Sequence, residues 1–332
     1  MKTLIIQLYQ IGDVVLTTQI PREIKRKYPD SEIHFLTTPM CNAILKYDKN
    51  IDKILSIKRD KNPLQTLKLI KDIRKEKYDY ILDFQNNPRT MWISLLSKAK
   101  YRVTYSYTKR KLAYNKLIEP LKGTATEIKC SLLKSLGINE YNIRPVIYPG
   151  EKEIEKVKQY LKNNNIEDFV VISPTHKGDT RRWTLDNYIK LAEYIHMKTG
   201  FKIIFSYGPN EDSYLDKIKK HKLYNSVFFT NAFSLSEFVA ILSLSRFHSG
   251  NDSSPFHMAV ALNKPSFVIL GASSEGWIFP SNEYRWVRKN LECQPCKSNK
   301  CKYGDNIPCL HDFSFDEIKD DFNNFLQEVI GV

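Results

Sequence analysis

The sequence predicts an α/β protein made of two doubly wound, Rossmann-like domains. Short apolar runs alternate with segments of helical periodicity along most of the chain, the pattern of parallel strands joined by helices. The 332 residues are enough for two such domains of about 100 to 200 residues each. Residues 137–150 are rich in asparagine, proline and glycine, which is the composition of a linker. We therefore predict domains over 1–150 and 151–332.

The elements follow in order along the chain. In the first half we predict strands over 3–9, 32–37, 53–57 and 78–84, and helices over 14–28 and 63–76. In the second half we predict strands over 168–173, 202–207, 226–230 and 265–271, and helices over 184–199, 212–221, 234–244 and 255–262. A last amphipathic helix, about 314–331, is expected near the domain junction. Open parallel sheets bind ligands at the carboxyl ends of their strands, so we expect the site in the cleft between the domains.

Composition excludes several classes of protein. With 42% hydrophobic and 27% charged residues the chain is an ordinary globular protein. No run of 18 apolar residues occurs and the first residues do not form a signal peptide, so a cytoplasmic location is expected. Six cysteines are too few for a disulfide scaffold in a chain of this length. Cys41 and Cys130 are isolated and are expected to be small buried apolar residues.

The positive charge lies entirely in the first half of the chain. Residues 1–150 contain 28 Lys/Arg and 14 Asp/Glu, a net charge of +14, whereas residues 151–332 contain 23 of each. An excess of this kind indicates an acidic partner, either a nucleic acid, an anionic membrane surface or a phosphorylated substrate. The alternative is that the surplus lysine serves solubility alone.

The first candidate site is Gly12 and Asp13, in the turn that follows the first strand. Glycine permits a tight turn there. Asp13 has two interpretations, a catalytic carboxylate or the N-cap of the next helix. Replacement of Asp13 by asparagine separates them, because asparagine caps as well as aspartate but cannot accept a proton.

The second candidate site begins the helix predicted over 255–262. Pro255 suits the first helical position and Ser254 the N-cap before it. The amide groups of a helix start attract phosphate, Asp252 can hold the preceding loop, and His257 lies in the first turn. The alternative is a capped helix with a histidine in the core.

The third candidate site follows the strand 168–173. Hydroxyl, imidazole and cationic groups cluster there and suit a diphosphate; they are Thr175, His176, Lys177 and Arg181. The alternative is a solvated basic loop. After the next strand, Glu211 could accept hydrogen bonds from the hydroxyl groups of a nucleoside, although acidic residues also favour helix starts.

Taken together, these segments resemble glycosyltransferase family nine, the bacterial lipopolysaccharide heptosyltransferases, over nearly the whole chain. The order and spacing of the motifs carry the resemblance. They are Ile11-Gly12-Asp13-Val14, residues 78–87, Arg182-Trp183, Gly208-Pro209-Asn210-Glu211, Asp252-Ser253-Ser254 with His257, and Lys264-Pro265.

The resemblance implies a GT-B fold, with an N-terminal acceptor domain and a C-terminal donor domain facing each other across a cleft. It implies inverting transfer without a metal or other cofactor, with Asp13 as the general base. The residues implied for donor binding are Thr175, His176, Lys177, Arg181, Glu211, Asp252, Ser253, Ser254 and His257. Those implied for acceptor binding are Gly12, Gln85, Asn86 and Arg89.

Family usage implies ADP-heptose as donor and the lipopolysaccharide inner core as acceptor. It implies a monomeric enzyme, peripheral at the inner face of the cytoplasmic membrane, that meets a phosphorylated lipid-linked glycan. The chain departs from the family at Ser254, at His176-Lys177 and at Arg181, and these departures bear on the identity of the donor. Alternatives are another nucleotide sugar used for a surface glycan, or a nucleotide-sugar epimerase of the same fold.

Four cysteines cluster near the end of the chain, at Cys293, Cys296, Cys301 and Cys309. Four thiolates could hold a structural zinc, but only one C-x2-C pair is present, so free thiols or an incidental disulfide bridge are favoured over a metal. The cluster and the basic half also raise a nucleic-acid-binding protein as a rival. This rival fits poorly, because the cluster lies in the neutral half and no nucleic-acid-binding signature occurs.

Overall fold

The computed structural model describes residues 1–60, 62–208, 211, 216, 218 and 233–331, and the backbone of 227–229. They form two compact units, Met1–Tyr148 and Pro149–Val332. The division falls two residues before the boundary predicted at 150, and residues 139–150 contain no helix or strand.

The first unit contains a six-stranded parallel sheet in the order β3-β2-β1-β4-β5-β6. Its strands are β1 (Lys2–Ile6), β2 (Glu32–Thr37), β3 (Lys53–Ser56), β4 (Tyr80–Asp83), β5 (Tyr101–Tyr105) and β6 (Lys116–Ile118). Its helices are α1 (Ile11–Val15), α2 (Gln19–Lys27), α3 (Asn42–Leu45), α4 (Pro63–Glu76), α5 (Pro88–Leu96) and α6 (Ala125–Cys130). The central strand β1 ends in three apolar residues and is almost fully buried, as expected of a strand covered by helices on both faces.

The second unit contains another six-stranded parallel sheet, in the order β12-β11-β10-β7-β8-β9. Its strands are β7 (Phe169–Ser173), β8 (Lys202–Phe205), β9 (Val227–Phe229), β10 (His248–Asn251), β11 (Ser266–Ile269) and β12 (Tyr284–Val287). Its described helices are α7 (Glu151–Asn163), α8 (Leu185–Thr199), α9 (Leu235–Leu244), α10 (Ser254–Ala261), α11 (Pro308–His311) and α12 (Phe315–Ile330).

Both sheets have the strand order of a dinucleotide-binding fold, 3-2-1-4-5-6 when counted within each unit. The order reverses between β1 and β4 in the first unit and between β7 and β10 in the second. Ligands of open parallel sheets bind outside the carboxyl ends of the strands at this reversal. The topology therefore selects the residues after these four strands as the candidate site, and it confirms the predicted α/β class.

The predicted helix over 14–28 is wrong, because the structure has two helices there. The Thr17 hydroxyl donates to the Asp13 carbonyl and the Thr18 hydroxyl donates to the Val15 carbonyl. Hydroxyl groups that bond the backbone in this way compete with helix continuation. The chain therefore leaves α1 after Val15 and resumes as α2 at Gln19.

Several strands were not predicted, and β10 is the most informative of them. Its residues, His-Ser-Gly-Asn, contain no apolar run, yet all four are buried. Polar side chains of this strand find partners on neighbouring strands: the Ser249 hydroxyl donates to the Phe267 carbonyl, and His248 Nε2 lies 3.0 Å from Ser173 Oγ. The other strands missed are β5, β6 and β12. The predicted helix over 212–221 lies outside the described residues, apart from the isolated positions 216 and 218.

The last helix, α12, belongs to the core of the second unit. A capping box between Ser314 and Glu317 begins it. Its buried face includes Phe322, whose ring packs against those of Phe247 and Phe267. Its predicted place near the domain junction stays a prediction. Among the described helices, none has the length and apolar character needed to cross a bilayer.

Candidate active site

Asp13 lies just beyond the carboxyl end of β1, as the third residue of α1. The N-cap position is occupied by Gln10, so the interpretation of Asp13 as a cap is wrong. Gly12 is likewise inside the helix rather than in a turn before it, and it is buried. The Asp13 side chain is 34% exposed, which leaves its carboxylate accessible to a ligand.

Lys129 of α6 is the cation that faces Asp13. Its Nζ lies 3.4 Å from Asp13 Oδ1 and 2.9 Å from Gln7 Oε1. The lysine is buried, and burial lowers its pKa while the Asp13 carboxylate opposes that shift. A buried ammonium is costly without a partner, so this pair fixes the position of both groups. Nothing in the sequence spacing of 13 and 129 indicated it.

Gln85, predicted to bind the acceptor, braces the turn that carries Asp13. Its Oε1 accepts hydrogen bonds from the backbone amides of Leu8 and Tyr9, each at 3.0 Å, and from Gln7 Nε2 at 3.1 Å. These donors lie at the end of β1, whereas Gln85 follows β4. One side chain therefore joins the two strands at the reversal of strand order. Its contact with an acceptor stays a prediction.

Asp83, the last residue of β4, shapes the loop that contains Asn86. Its Oδ1 accepts from the amides of Gln85 and Asn86, and its Oδ2 accepts from the Tyr114 hydroxyl at 2.7 Å. Asp83 is buried, and burial raises the pKa of its carboxyl. Asn86 has a φ of 45° and its Oδ1 accepts from Thr108 Oγ1. The loop is thus built around a buried carboxyl rather than left open.

Arg89, the last predicted acceptor residue, joins α5 to α4 and to the segment before α4. Its Nε donates to Thr66 Oγ1 at 2.9 Å and its NH1 donates to the Lys58 carbonyl at 2.6 Å. In this conformation the guanidinium positions neighbouring chain segments. Acceptor binding by Arg89 stays a prediction.

In the second unit, Asn251 at the end of β10 organises the loop predicted to hold a diphosphate. Its Nδ2 donates to the Pro174 carbonyl at 3.0 Å. Its Oδ1 accepts from the Trp183 amide at 2.9 Å and from the Tyr188 hydroxyl at 3.0 Å. Asn251 is fully buried, so it ties both ends of the 174–183 loop to the strand beside it. This role of Asn251 was not predicted from the sequence.

Helix α10 begins one residue earlier than predicted. Its N-cap is Ser253, and Ser254 is the first helical residue, so the assignment of Ser254 as the cap is wrong. The Ser253 side chain makes no capping hydrogen bond. Its backbone dihedrals place it outside the helix, and its Oγ is buried without a hydrogen-bond partner among the described residues. The first amides of a helix, which have no partner within the helix, can bind an anion.

Asp252 and His257 lie together at the start of α10. Both are buried, and His257 Nε2 lies 3.6 Å from Asp252 Oδ1. Asp252 and Arg181 also contribute to the electrostatic environment of His176. The structure therefore brings the second and third candidate sites into one neighbourhood within the second unit.

His176 is poised as a neutral hydrogen-bond donor. Burial lowers the pKa of its imidazole, so the ring is neutral near pH 7. Its Nδ1 accepts from the Gly178 amide at 2.8 Å, which puts the proton on Nε2. Arg181 has a buried Nε without a hydrogen-bond partner among the described residues, and Lys177 is exposed. All three can donate to an anion.

The cysteine-rich segment, residues 293–309, contacts the 174–183 loop and the turn after β11. The Thr180 hydroxyl donates to the Ser298 carbonyl at 2.8 Å, and Gln294 Nε2 donates to the Gly271 carbonyl at 2.9 Å. Gly271 has no room for a side chain, since a Cβ there would lie 2.3 Å from the Thr180 carbonyl oxygen. The close approach of the Thr180 carbonyl to Gly271 therefore fixes the position of the 174–183 loop.

The four cysteines form no disulfide in this structure, and no three of their sulfur atoms lie within 4.8 Å of one another. Whether they bind a metal stays a prediction. Burial, followed by the neighbouring thiols, raises the pKa of Cys309 to about 11, whereas Cys296 is exposed. Cys41 and Cys130 are buried, as predicted, and burial raises the pKa of Cys130 to about 12. Throughout the described residues, one trio has ligand atoms within 4.8 Å of each other: Glu32, His34 and Glu76.

That trio is at the opposite end of the first sheet from Asp13. Lys2 starts β1 beside Glu32, and its ammonium lies 3.0 Å from the Glu32 carboxylate and also contacts Glu76. The lysine already supplies the positive charge that a metal would bring. The trio is therefore a structural ion-pair network.

The Glu211 side chain bonds the backbone of the turn that precedes it. Its Oε2 accepts from the Gly208 amide at 2.5 Å. Pro209 and Asn210 of the same motif lie outside the described residues. Contact of Glu211 with a nucleoside stays a prediction.

The chain has two doubly wound units. The first has an accessible carboxylate after its central strand, and the second has a cationic loop beside a helix start. This is the architecture of the GT-B class of glycosyltransferases. The model of glycosyltransferase family 9 (heptosyltransferase) matches residues 66–306, and the chain belongs to this family. The resemblance found in the sequence is thus confirmed.

Individual relatives agree with this assignment. The chain is 26% identical to lipopolysaccharide heptosyltransferase 1 of Campylobacter coli, over 82% of this chain and 84% of that protein. It is 23% identical to lipopolysaccharide heptosyltransferase 3 of Escherichia coli, over 79% and 81%. The structure of E. coli ADP-heptose lps heptosyltransferase II shares the fold, with a TM-score of 0.81 at 17% identity and 99% coverage of both chains.

Proposed function

We propose that this family 9 enzyme transfers a heptose from ADP-heptose to the inner core of lipopolysaccharide, with inversion and without a metal. Asp13 is the general base. The single observation that carries the proposal is the accessible Asp13 carboxylate at the reversal of strand order, held there by Lys129. The names of the relatives support heptose as the sugar and lipopolysaccharide as the acceptor.

The proposed step is a single displacement. Asp13 takes the proton of an acceptor hydroxyl, and the hydroxyl oxygen forms a bond to the anomeric carbon of the donor sugar. The bond from that carbon to the diphosphate oxygen breaks, and ADP leaves with its electron pair. Attack from the face opposite the leaving group inverts the anomeric centre. The transferred proton stays on Asp13 until solvent removes it.

The second unit supplies the groups that suit the leaving diphosphate. Positively charged and hydrogen-bond-donating groups stabilise charge that develops in the transition state. The Nε2–H of His176, the Arg181 guanidinium and Lys177 can act in this way, together with the first amides and the Ser253 hydroxyl of α10. Asp252 and His257 hold the helix start, and Glu211 is assigned to the nucleoside.

The reaction is proposed to occur at the inner face of the cytoplasmic membrane, where a monomer meets its lipid-linked acceptor. The +14 charge of residues 1–150 supports a phosphorylated acceptor, since a basic surface attracts anions over long distances. No metal is required, because the cationic and amide groups of the second unit can bear the charge of the diphosphate.

The test is ADP release from ADP-heptose, measured with and without a heptose-deficient inner-core acceptor. Replacement of Asp13 by asparagine should lower turnover by about 10² to 10⁴, the usual contribution of a general base. Asp186→Asn is the matched control, because Asp186 also lies in the first turn of a helix. EDTA should leave the rate unchanged, and metal analysis of the pure protein should find no stoichiometric zinc or iron.

Retention of activity by Asp13→Asn would refute the role of the base. An equal rate of ADP release with and without the acceptor would refute transfer. A preference for UDP- or GDP-sugars would refute the assigned donor. NMR of the product reports whether the anomeric configuration has inverted.

A further inference from the structure

The first unit exposes a group of large apolar side chains on three adjoining elements. Helix α4 packs against α5, and α5 packs against the 3-10 helix Lys111–Ala113. The exposed apolar residues on these elements, here called the apolar strip, are Leu64, Leu67, Trp92, Leu96 and Leu112. Leu112 is 96% exposed and Leu64 is 72% exposed. Single exposed apolar residues are ordinary on a protein surface, but a concentration on neighbouring elements marks an interaction surface.

Helix α5 shows the pattern most clearly. Pro88, Trp92 and Leu96 are spaced four residues apart and exposed, so they follow one line along the outer side of the helix. Ile93, on the other side, is buried in the core of the first unit. The helix is therefore apolar toward the core and also along part of its solvent face, which folding of the unit alone does not require.

The charge around the apolar strip is of one sign. Residues 84–118 contain eight lysines and arginines and no aspartate or glutamate. Lys109, Arg110 and Lys111 come directly before Leu112, and Lys68 and Lys71 are exposed on α4. Asp72 and Glu76 lie on α4, outside that range, and are paired with lysines. The strip is thus flanked by cations with little neutralising charge.

We propose that the apolar strip is a docking face for an anionic phospholipid bilayer. The leucines and Trp92 enter the boundary between headgroups and acyl chains, and the flanking cations contact lipid phosphates. Tryptophan is favoured at this depth, and basic residues beside a membrane gain from its negative surface potential. Exposed aliphatic side chains add nothing to phosphate contacts, so this combination favours lipid over nucleic acid.

This inference deepens the proposed function, because a lipid-linked acceptor would lie in the same bilayer. The first experiment omits both substrates, so that docking and transfer can fail independently. Sedimentation of the full-length protein is measured with phosphatidylcholine vesicles, with and without phosphatidylglycerol. Binding is expected only with phosphatidylglycerol and should weaken as salt is raised.

Two single variants and one control test the residues. Leu112→Glu and Trp92→Glu should each weaken binding about tenfold or more, since each replaces a membrane-buried apolar group by a charge. Met197→Glu is the matched control: Met197 is 71% exposed on α8 of the second unit, and its replacement should leave binding unchanged. Circular dichroism of all three should match the parent protein, because the altered side chains are exposed.

A second measurement locates Trp92 directly. Vesicles of brominated phosphatidylglycerol should quench part of the tryptophan fluorescence, and Trp92→Leu should lose this quenching while it still binds. With a detergent-solubilised acceptor, Leu112→Glu should keep parental turnover, since Leu112 is outside the proposed site.

Equal vesicle binding by Leu112→Glu and Met197→Glu would overturn the proposal. The proposal would also be overturned if the parent protein bound no vesicles but self-associated, and if Leu112→Glu made it monomeric. The apolar strip would then be a protein interface. Vesicle binding that depends on Leu112 in a protein without transferase activity would retain the docking face and reject the proposed function.

Discussion

Lys129 Nζ lies 3.4 Å from Asp13 Oδ1, which joins the start of α1 to the end of α6 across 116 positions of sequence. The ammonium is buried and the carboxylate is partly exposed. The lysine therefore approaches the acid from the protein side and leaves the outer side of the carboxylate for a ligand. This arrangement makes Lys129 a positioning residue for the proposed base.

Lys129→Met should lower turnover while nucleotide binding is retained. Asp13 would lose the cation that holds its carboxylate, and a misplaced catalytic group can cost about 10²-fold in rate. ADP affinity, measured by calorimetry, should not change because the nucleotide is assigned to the second unit. Lys134→Met, in the 3-10 helix that follows α6, is the control for loss of a lysine at an exposed position.

The two residues should also behave as one unit in a double-mutant cycle. If Lys129 acts through Asp13, the double variant with Asp13→Asn should be no slower than Asp13→Asn alone. Additive losses in turnover would show that Lys129 acts independently of Asp13.

Asn251→Ala should reduce donor affinity as well as stability. It removes three buried hydrogen bonds, two to the 174–183 loop and one to the Tyr188 hydroxyl of α8, and unsatisfied buried groups cost about 1 to 3 kcal/mol each. Asn187 is the matched control, because it is a buried asparagine that bonds Phe313 and Phe315 instead of this loop. Asn187→Ala should lose a similar free energy of unfolding without loss of ADP affinity. Equal ADP affinity in both variants would contradict the assigned role of the loop.

Gly271→Ala should disturb the same loop by steric conflict. The new Cβ would lie 2.3 Å from the Thr180 carbonyl oxygen, so the backbone of the loop must move. Gly178→Ala in the same loop is the control, because its Cβ would meet only ordinary contacts at 3.5 Å. We expect the Michaelis constant for the donor to rise for Gly271→Ala only. An unchanged Michaelis constant for Gly271→Ala would show that the loop tolerates the displacement, and a comparable rise for both variants would show that the effect is not due to the contact with Thr180.

His248 should make the protein sensitive to acid. It is fully buried in β10, its Nε2 lies 3.0 Å from Ser173 Oγ, and burial lowers its pKa to about 3. The unfolded histidine has a pKa near 6.5, so its contribution to stability is complete above about pH 6.5 and is lost as the pH falls toward 3. From this residue the free energy of unfolding should fall by about 1.4 kcal/mol per pH unit between these limits.

Chemical denaturation at several pH values measures this slope. His248→Gln should flatten it below pH 6.5, whereas His311→Gln, at an exposed position, should not. An unchanged slope in His248→Gln would assign the acid sensitivity to other groups.

The fold could be predicted where buried strands are apolar. Helix α4 and strand β2 were found with their predicted bounds, because Asn62 caps the helix and the strand contains the apolar residues Ile33, Phe35 and Leu36. Strand β10 could not be predicted, because it is buried by virtue of polar side chains that find partners on neighbouring strands. The hydrophobic pattern of the sequence does not indicate those partners.

The sequence by itself determined the alternation of strands and helices, the family motifs and the basic first half of the chain. It placed Asp13 and the 175–181 loop after predicted strands and residues 252–257 at a helix start, because these assignments depend on neighbours in sequence. Only the tertiary structure decided that Lys129 faces Asp13 and that Asn251 holds the loop. Such pairs are created when the sheet brings distant segments together, and their spacing along the chain carries no periodic signal.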